Sequence, residues 1–248
     1  MTSKETIGII GLGDLGSRIA AQSFHEGFDT VSYDNQSGFD LSIDVLPVNA
    51  SLGRVTLDEI VTRADTVDYV FDNSPVIHWC APVSALATVP VETTDGVLIL
   101  NDSVMHNSLK VMNFLKTRTY RSIAVVHFLM NSHNMVVVAE ESDDVAATQD
   151  HIASLGLHSS VMSVQEHDKN MAHSQAPFAV LHEMLAVELE RLANSGLLTP
   201  SGEAMSEALL DRSARWTEAT FQTLLSNPEL PALLDSMKAM LRSKNGSA

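Results

Sequence analysis

One cysteine, Cys80, in 248 residues rules out an intramolecular disulfide and suits a reducing compartment, so the chain is expected in the cytoplasm. Cationic residues are also scarce. Fifteen Lys and Arg against thirty-one Asp and Glu leave a formal charge of −16, which excludes the clustered basic surface that neutralises nucleic-acid phosphates. No apolar run approaches the ~20 residues needed to span a bilayer. Met1 to Thr6 lacks the basic flank of a secretory leader, and the apolar stretch behind it breaks at Gly11. No HExxH or comparable His and carboxylate spacing occurs, so no metal is expected. No internal repeat is visible. What the chain does have is 45% hydrophobic residues, ample for one large domain or two modest ones. A small-molecule substrate, rather than nucleic acid or membrane, is the expected partner.

The richest segment is Ile7-Gly8-Ile9-Ile10-Gly11-Leu12-Gly13-Asp14-Leu15-Gly16. An apolar run that reads as a buried strand leads into Gly11-x-Gly13-x-x-Gly16, and a helical pattern from Ser17 to Glu26 follows at once. In that context Gly11 permits the tight turn, Gly13 lets backbone approach a pyrophosphate, and Gly16 lets helix and strand pack closely. The free N–H groups and positive dipole end of the helix would then hold the phosphates. A second strand ends at Asp34, about 20 residues on, where an acid meets ribose hydroxyls. A carboxylate there repels a 2'-phosphate, so NAD is favoured over NADP. The competing reading is a tight turn that binds nothing. On the first reading, Gly11, Leu12, Gly13, Asp14, Leu15, Gly16 and Asp34 hold a dinucleotide.

Up to residue 164 the pattern alternates. Strands are expected at Ile7–Ile10, Thr30–Tyr33, Val67–Phe71, Val97–Leu100, Ile123–His127, Met135–Ala139 and Ser160–Val164. Helices are expected near Ser17–Glu26, Leu57–Arg63, Val76–Ala87, Met105–Lys116 and Asp143–Leu155. Such alternation implies an α/β, mostly parallel sheet of the Rossmann type with helices on both faces. From residue 165 only helical spacing is found: a long segment Gln165–Asn194 interrupted by Pro177, then Gly202–Leu210, Arg212–Ser226 and Leu230–Arg242. The expected organisation is therefore a dinucleotide-binding domain, 1–164, and an all-helical domain, 165–248. Long apolar stripes in so small a helical part predict a homodimer.

Beyond the glycines, three segments carry candidate chemistry: Asn101-Asp102-Ser103-Val104 and His127 at strand ends, and Glu166-His167-Asp168…Ala172…Gln175 opening the long helix. Ligands bind at the carboxyl ends of strands in open α/β sheets. Each has a plainer reading as well. His127 is also a strand-end histidine, Asp102-Ser103 an ordinary helix cap, and His167-Asp168 a cap with a dipole partner. His25, His106, His133, His151 and His158 read as surface residues, and Cys80 as a small buried residue in an apolar helix.

Taken in order with Ser74-Pro75-Val76, these motifs resemble the prephenate/arogenate dehydrogenase family over most of the chain. The resemblance implies oxidative decarboxylation of a cyclohexadienol to a 4-hydroxyphenyl product, as in tyrosine biosynthesis. It makes His127 the general base, with an imidazole pKa suited to neutral pH, and Ser103 its partner on the ring hydroxyl. It puts His167 and Gln175 at the substrate, and Ser74 and Pro75 beside the cofactor. Where the family carries a substrate-carboxylate arginine this chain has Gln222, so Arg215, about two turns earlier, is the candidate replacement. A reductase on another small acid or imine, and a dinucleotide-binding protein without catalysis, are the competing readings.

Overall fold

Short apolar runs rich in Ile and Val form parallel strands here, because each is buried on both faces by helices. The structure, a computed structural model, describes residues 5–34, 57–88, 96–117, 121–129, 135–175 and 218–245, with isolated positions between 177 and 204. It divides into two compact units, Met1–Val164 and Gln165–Ala248.

In the first unit the strands are β1 (Thr6–Ile10), β2 (Asp29–Tyr33), β3 (Thr62–Arg63), β4 (Val76–Trp79), β5 (Val97–Asn101), β6 (Ser122–Leu129), β7 (Met135–Ala139) and β8 (His158–Met162). They form one sheet in the order β3-β2-β1-β4-β5-β6-β7-β8. Only the β6–β7 pairing is antiparallel. Helices α1 (Asp14–His25), α2 (Leu57–Ile60) and α5 (Val145–Ser154) cover one face. Helices α3 (Val67–Asn73) and α4 (Met105–Leu115) cover the other. Side chains alternate between the two cores as the pleat requires: Ile7, Ile9, Ile99, Ala124 and Val126 on the first, Ile10, Ile77, Trp79, Leu100 and Val125 on the second.

Two expected elements exchange identity. Val67–Phe71, read as a strand, is helix α3. Thr66 Oγ1 accepts from the Tyr69 N–H at 3.3 Å and caps it, and Val70 with Phe71 is buried while Asp68, Tyr69 and Asp72 face water. Conversely, Val76–Ala87, read as a helix, begins as strand β4, inserted between β1 and β5, and continues as a 3-10 turn, Val83–Thr88. Cys80 consequently follows a strand and does not lie in a helix. Several boundaries also move. The helix expected at Leu57–Arg63 stops at Ile60 and gives way to edge strand β3. Strand β6 runs two residues past His127. Strand β8 lies two residues earlier than expected, because Val164 already opens the next helix, its N–H held by the Glu141 carboxylate at 3.1 Å.

The second unit shows α6 (Val164–Ser174, whose first residue belongs to the sheet unit), α7 (Glu218–Leu225) and α8 (Leu230–Asn245). Arg215, His133, most of 176–194 and all of Gly202–Leu210 but Ala204 lie outside the described residues.

At the amino edge of the sheet the buried Arg121 guanidinium donates to the carbonyls of Phe71 (2.9 Å) and Ser74 (3.1 Å) and lies over the Phe71 ring. It thereby satisfies the last carbonyls of α3, where the chain turns into β4. Replacing it with alanine strands these acceptors in the core. Arg121→Ala is expected to destabilise the protein by about 3 kcal/mol, read as a lower midpoint in urea unfolding.

Candidate active site at the carboxyl edge of the sheet

The register aligns five strand ends. Tyr33, Ile10, Trp79, Leu100 and Val125 occupy one row across β2, β1, β4, β5 and β6. The residues that follow them therefore emerge along one edge: Asp34, Gly11, Cys80, Asn101 and Val126, then Leu12, Ala81, Asp102 and His127. Backbone donors stitch that edge together. Gly11 N–H reaches Tyr33 O at 2.9 Å, Cys80 and Ala81 N–H reach Ile10 O at 2.8 and 3.1 Å, and Asp102 N–H reaches Val126 O at 3.1 Å.

The glycine turn is built tightly. Gly11 has φ +93°, and a Cβ on it would meet Ala81 N at 2.7 Å. A Cβ on Gly16 would overlap Gly11 O. At Gly13, by contrast, a Cβ would meet nothing within 4 Å. Gly13 is also the N-cap of α1, and no side chain caps that helix end. The first-turn N–H groups thus face an open cradle of the kind that accepts a pyrophosphate. Asp34 does something the sequence did not disclose: its Oδ2 accepts the Leu12 N–H at 2.7 Å, so the carboxylate braces the glycine turn itself. Asp14 lies at the surface in an exposed pair with Arg18 at 3.1 Å, a contact of little energetic weight.

Farther along the edge, Asn101 is buried and donates to Trp79 O at 3.0 Å and Ile99 O at 3.2 Å. Asp102 accepts from Val104 N–H at 3.2 Å and Ser108 Oγ at 3.4 Å, fixing the entry to α4. Ser103, half-buried, sits between them. His127 is only 7% exposed. It pairs across the ladder with Val137 and, by alternation from Val125, projects on the α4 face. It stands three strands from β1, about 14 Å at ordinary strand spacing.

Ser74 and Pro75 are not at this edge. They precede β4 and so lie at the opposite, amino end of the sheet. Ser74 is buried against Gly8, and Pro75 O accepts the Val97 N–H. This corrects the expectation that they lie beside a cofactor at the carboxyl edge. The segment that does follow β4 is Cys80-Ala81-Pro82. Its signal was present in the β-branched and aromatic run Val76-Ile77-His78-Trp79 ahead of a proline. Burial pushes the Cys80 thiol pKa upward, so it is a neutral, weakly nucleophilic group.

The helical unit carries the remaining candidates. His167 Nδ1 and Asp168 Oδ1 are 2.8 Å apart, both 1% exposed. Buried Asn227 donates to Asp168 O at 2.9 Å and accepts from Glu229 N–H at 2.9 Å, fastening the turn between α7 and α8 to α6. Gln175 closes the last turn of α6 through its N–H to Met171 O. The structure therefore brings His127 and Ser103 to the same edge as the glycine turn and Asp34, and puts His167 on α6 with Gln175 directly after its end. Among the described residues no group of His, Cys, Asp or Glu has metal-binding geometry, and no helix is long and apolar enough to cross a membrane.

No protein-family model and no curated protein matches the sequence. Solved structures do share the fold. Prephenate dehydrogenase from Aquifex aeolicus, in complex with hydroxyphenyl propionate and NAD+, superposes with a TM-score of 0.68 at 15% identity, covering 97% of this chain and 89% of that one. Synechocystis arogenate dehydrogenase gives 0.56 at 15% identity, covering 97% and 93%. An imine reductase from Aspergillus terreus, in complex with NADPH4 and dibenz[c,e]azepine, gives 0.53 at 15% identity, covering 86% and 78%. This chain thus shares the fold of these proteins, an α/β sheet followed by helices.

The glycines separate by geometry. Gly16→Ala is expected to cost about 2 kcal/mol or more, because backbone must move. Gly13→Ala is expected to leave the unfolding midpoint within about 1 kcal/mol of the parent.

Proposed function

We propose that this protein is a nicotinamide-dinucleotide-dependent dehydrogenase of the prephenate/arogenate type. The observation that carries the reading is the shared edge: an open glycine cradle, a braced aspartate, Ser103 and a nearly buried imidazole, all at the carboxyl ends of neighbouring parallel strands of one sheet. The cofactors in the similar solved structures, NAD+ in one and NADPH4 in another, support the choice of coenzyme.

Gly11 to Gly16 would hold the pyrophosphate through the first-turn N–H groups of α1. Asp34 has its Oδ2 on Leu12 N–H, and its second oxygen is the proposed acceptor for ribose hydroxyls. Its charge favours NAD over the 2'-phosphorylated form. When bound, the nicotinamide supplies a hydride acceptor. His127 then takes the proton of the substrate's ring hydroxyl as the C4 hydrogen departs with its electron pair. The bond to the C1 carboxylate breaks, carbon dioxide leaves, and its electrons complete the aromatic ring. Ser103 orients that hydroxyl. The helical unit's His167, Gln175 and Arg215 are the proposed substrate-side groups. We further propose a homodimer, for which light scattering at micromolar protein should give twice the monomer mass.

A second reading has an observation of its own. Gln222, exposed on α7, stands where the resemblance calls for an arginine, and glutamine cannot neutralise a ring carboxylate. An enzyme on this fold acting on another small acid or an imine needs no such charge.

Incubation with NAD+ or NADP+ and either prephenate or arogenate, followed by absorbance of the reduced coenzyme, tests the proposal. Turnover is expected, with NAD+ preferred, and His127→Asn should lower kcat by about 100-fold or more while the coenzyme still binds. Gly13→Ala should weaken coenzyme binding about tenfold, a loss of roughly 1.4 kcal/mol. Coenzyme binding without turnover on either substrate would favour the second reading.

A further inference from the structure

His151, expected at the surface, is instead joined to the core. Its Nε2 lies 2.9 Å from Nε2 of His78, which is completely buried in the middle of β4 on the face covered by α1 and α5. The rings are tilted, 5.2 Å between centroids, and Phe128 closes on His78 edge-on at 6.0 Å. His78 Nδ1 is buried with no hydrogen-bond partner among the described residues. One imidazole of the pair must donate and the other accept, so the neutral rings share a single N–H···N bond. That bond joins α5 to the centre of β4.

We propose that this histidine pair is an acid-sensitive latch: neutral, it fastens α5 to the centre of the sheet, and proton uptake releases it. A further proton must either go to an Nδ1 nitrogen, which puts a cation on a buried ring, or enter the contact, which sets two N–H groups head to head at 2.9 Å. The described residues around the pair offer no compensation. Neither imidazole makes an ion pair with a described residue. The β4 neighbour on that face, Cys80, is a neutral thiol. From α1, Ser17, Gln22 and Ser23 are committed to the carbonyls of Leu12, Leu155 and Ile19. From α5, Thr148 is committed to Asp144 O. Burial accordingly holds the His78 pKa well below 6.5, with the His151 charge adding to that effect, and lowers His151 to about 4. Because both folded values are depressed, the stabilisation is complete above the unfolded value near 6.5 and is lost as the pH falls toward 4.

Amide hydrogen exchange on the intact protein at about pH 7 and about pH 4.5, corrected for intrinsic rates, tests the latch. Protection in α5 should fall at least about tenfold more than in α4, on the other face of the sheet. Equal loss in α4 and α5, or no loss in α5, would overturn the proposal. Nitrogen-15 spectra of the imidazoles give a readout that no variant needs to survive. One ring should appear as the Nδ1–H tautomer and the other as the Nε2–H tautomer, neither titrating between about pH 8 and pH 5. Titration of either ring near 6.5 would overturn it. His151→Gln keeps a hydrogen-bond partner for His78 and removes one of the two titrating rings, so its α5 should lose less protection at low pH than the parent; an unchanged loss would overturn the latch.

Discussion

The parallel register of β2, β1, β4, β5 and β6 is the constraint on which the rest depends. Parallel strands linked by crossovers must end at one edge, and the loops leaving them must then share it. Gly11, Asp34, Cys80, Asp102 and His127 come from distant parts of the sequence, yet the row through Ile10 delivers them side by side. A slip of one residue in any pairing would turn the alternate side chains to the wrong core. The depth of burial prevents this. Ile9, Ile77, Leu98, Ile99, Leu100, Ile123 and Val125 are at most 1% exposed, and each would leave an unfilled space or meet an occupied one.

The two faces contribute different things to that edge. α1 starts on one face and offers the uncapped N–H groups of its first turn. α4 starts on the other, its entry fixed by Asp102, and leaves Ser103 and His127 on its side. A ligand laid along the edge would therefore meet the uncapped N–H groups after β1 and an imidazole at β6. The edge is rigid for reasons that can be named: Asp34 braces the glycine turn, Asn101 ties β4 to β5, and the backbone donors of Cys80 and Ala81 both converge on Ile10 O. The helical unit has its own internal bracing in Asp168 and Asn227.

Much of this was legible in the sequence, and the failures have physical causes. The Gly11–Gly16 turn could be read because Gly11 and Gly16 answer local steric demands that no other residue meets, while Gly13 leaves the cradle open. Strands β1, β2, β5 and β7 could be read because short β-branched runs bounded by turn residues admit little else. Val67–Phe71 was misread because Val-Asp-Tyr-Val-Phe satisfies strand alternation and helical spacing nearly equally. The decision lay with Thr66 as cap and with Val76–Trp79, which fills the slot between β1 and β5. His78 made that strand hard to recognise, since a histidine there resembles the polar side of a helix until its partner His151 is known. That partner is 73 residues away, beyond any local pattern. The misplacement of Ser74-Pro75 followed from the same exchange of elements. The bracing role of Asp34 likewise needs three-dimensional contact to be seen.

Chemical-shift mapping on nitrogen-15-labelled protein during titration with NAD+ tests the central claim most directly. The account predicts perturbations concentrated at the amides of residues 11 to 16, at Asp34, at Cys80 and Ala81, and along the edge to Ser103 and His127. Perturbations centred instead on the amino end of the sheet, around Ser74, Gly96 and Arg121, or no saturable change anywhere, would contradict it.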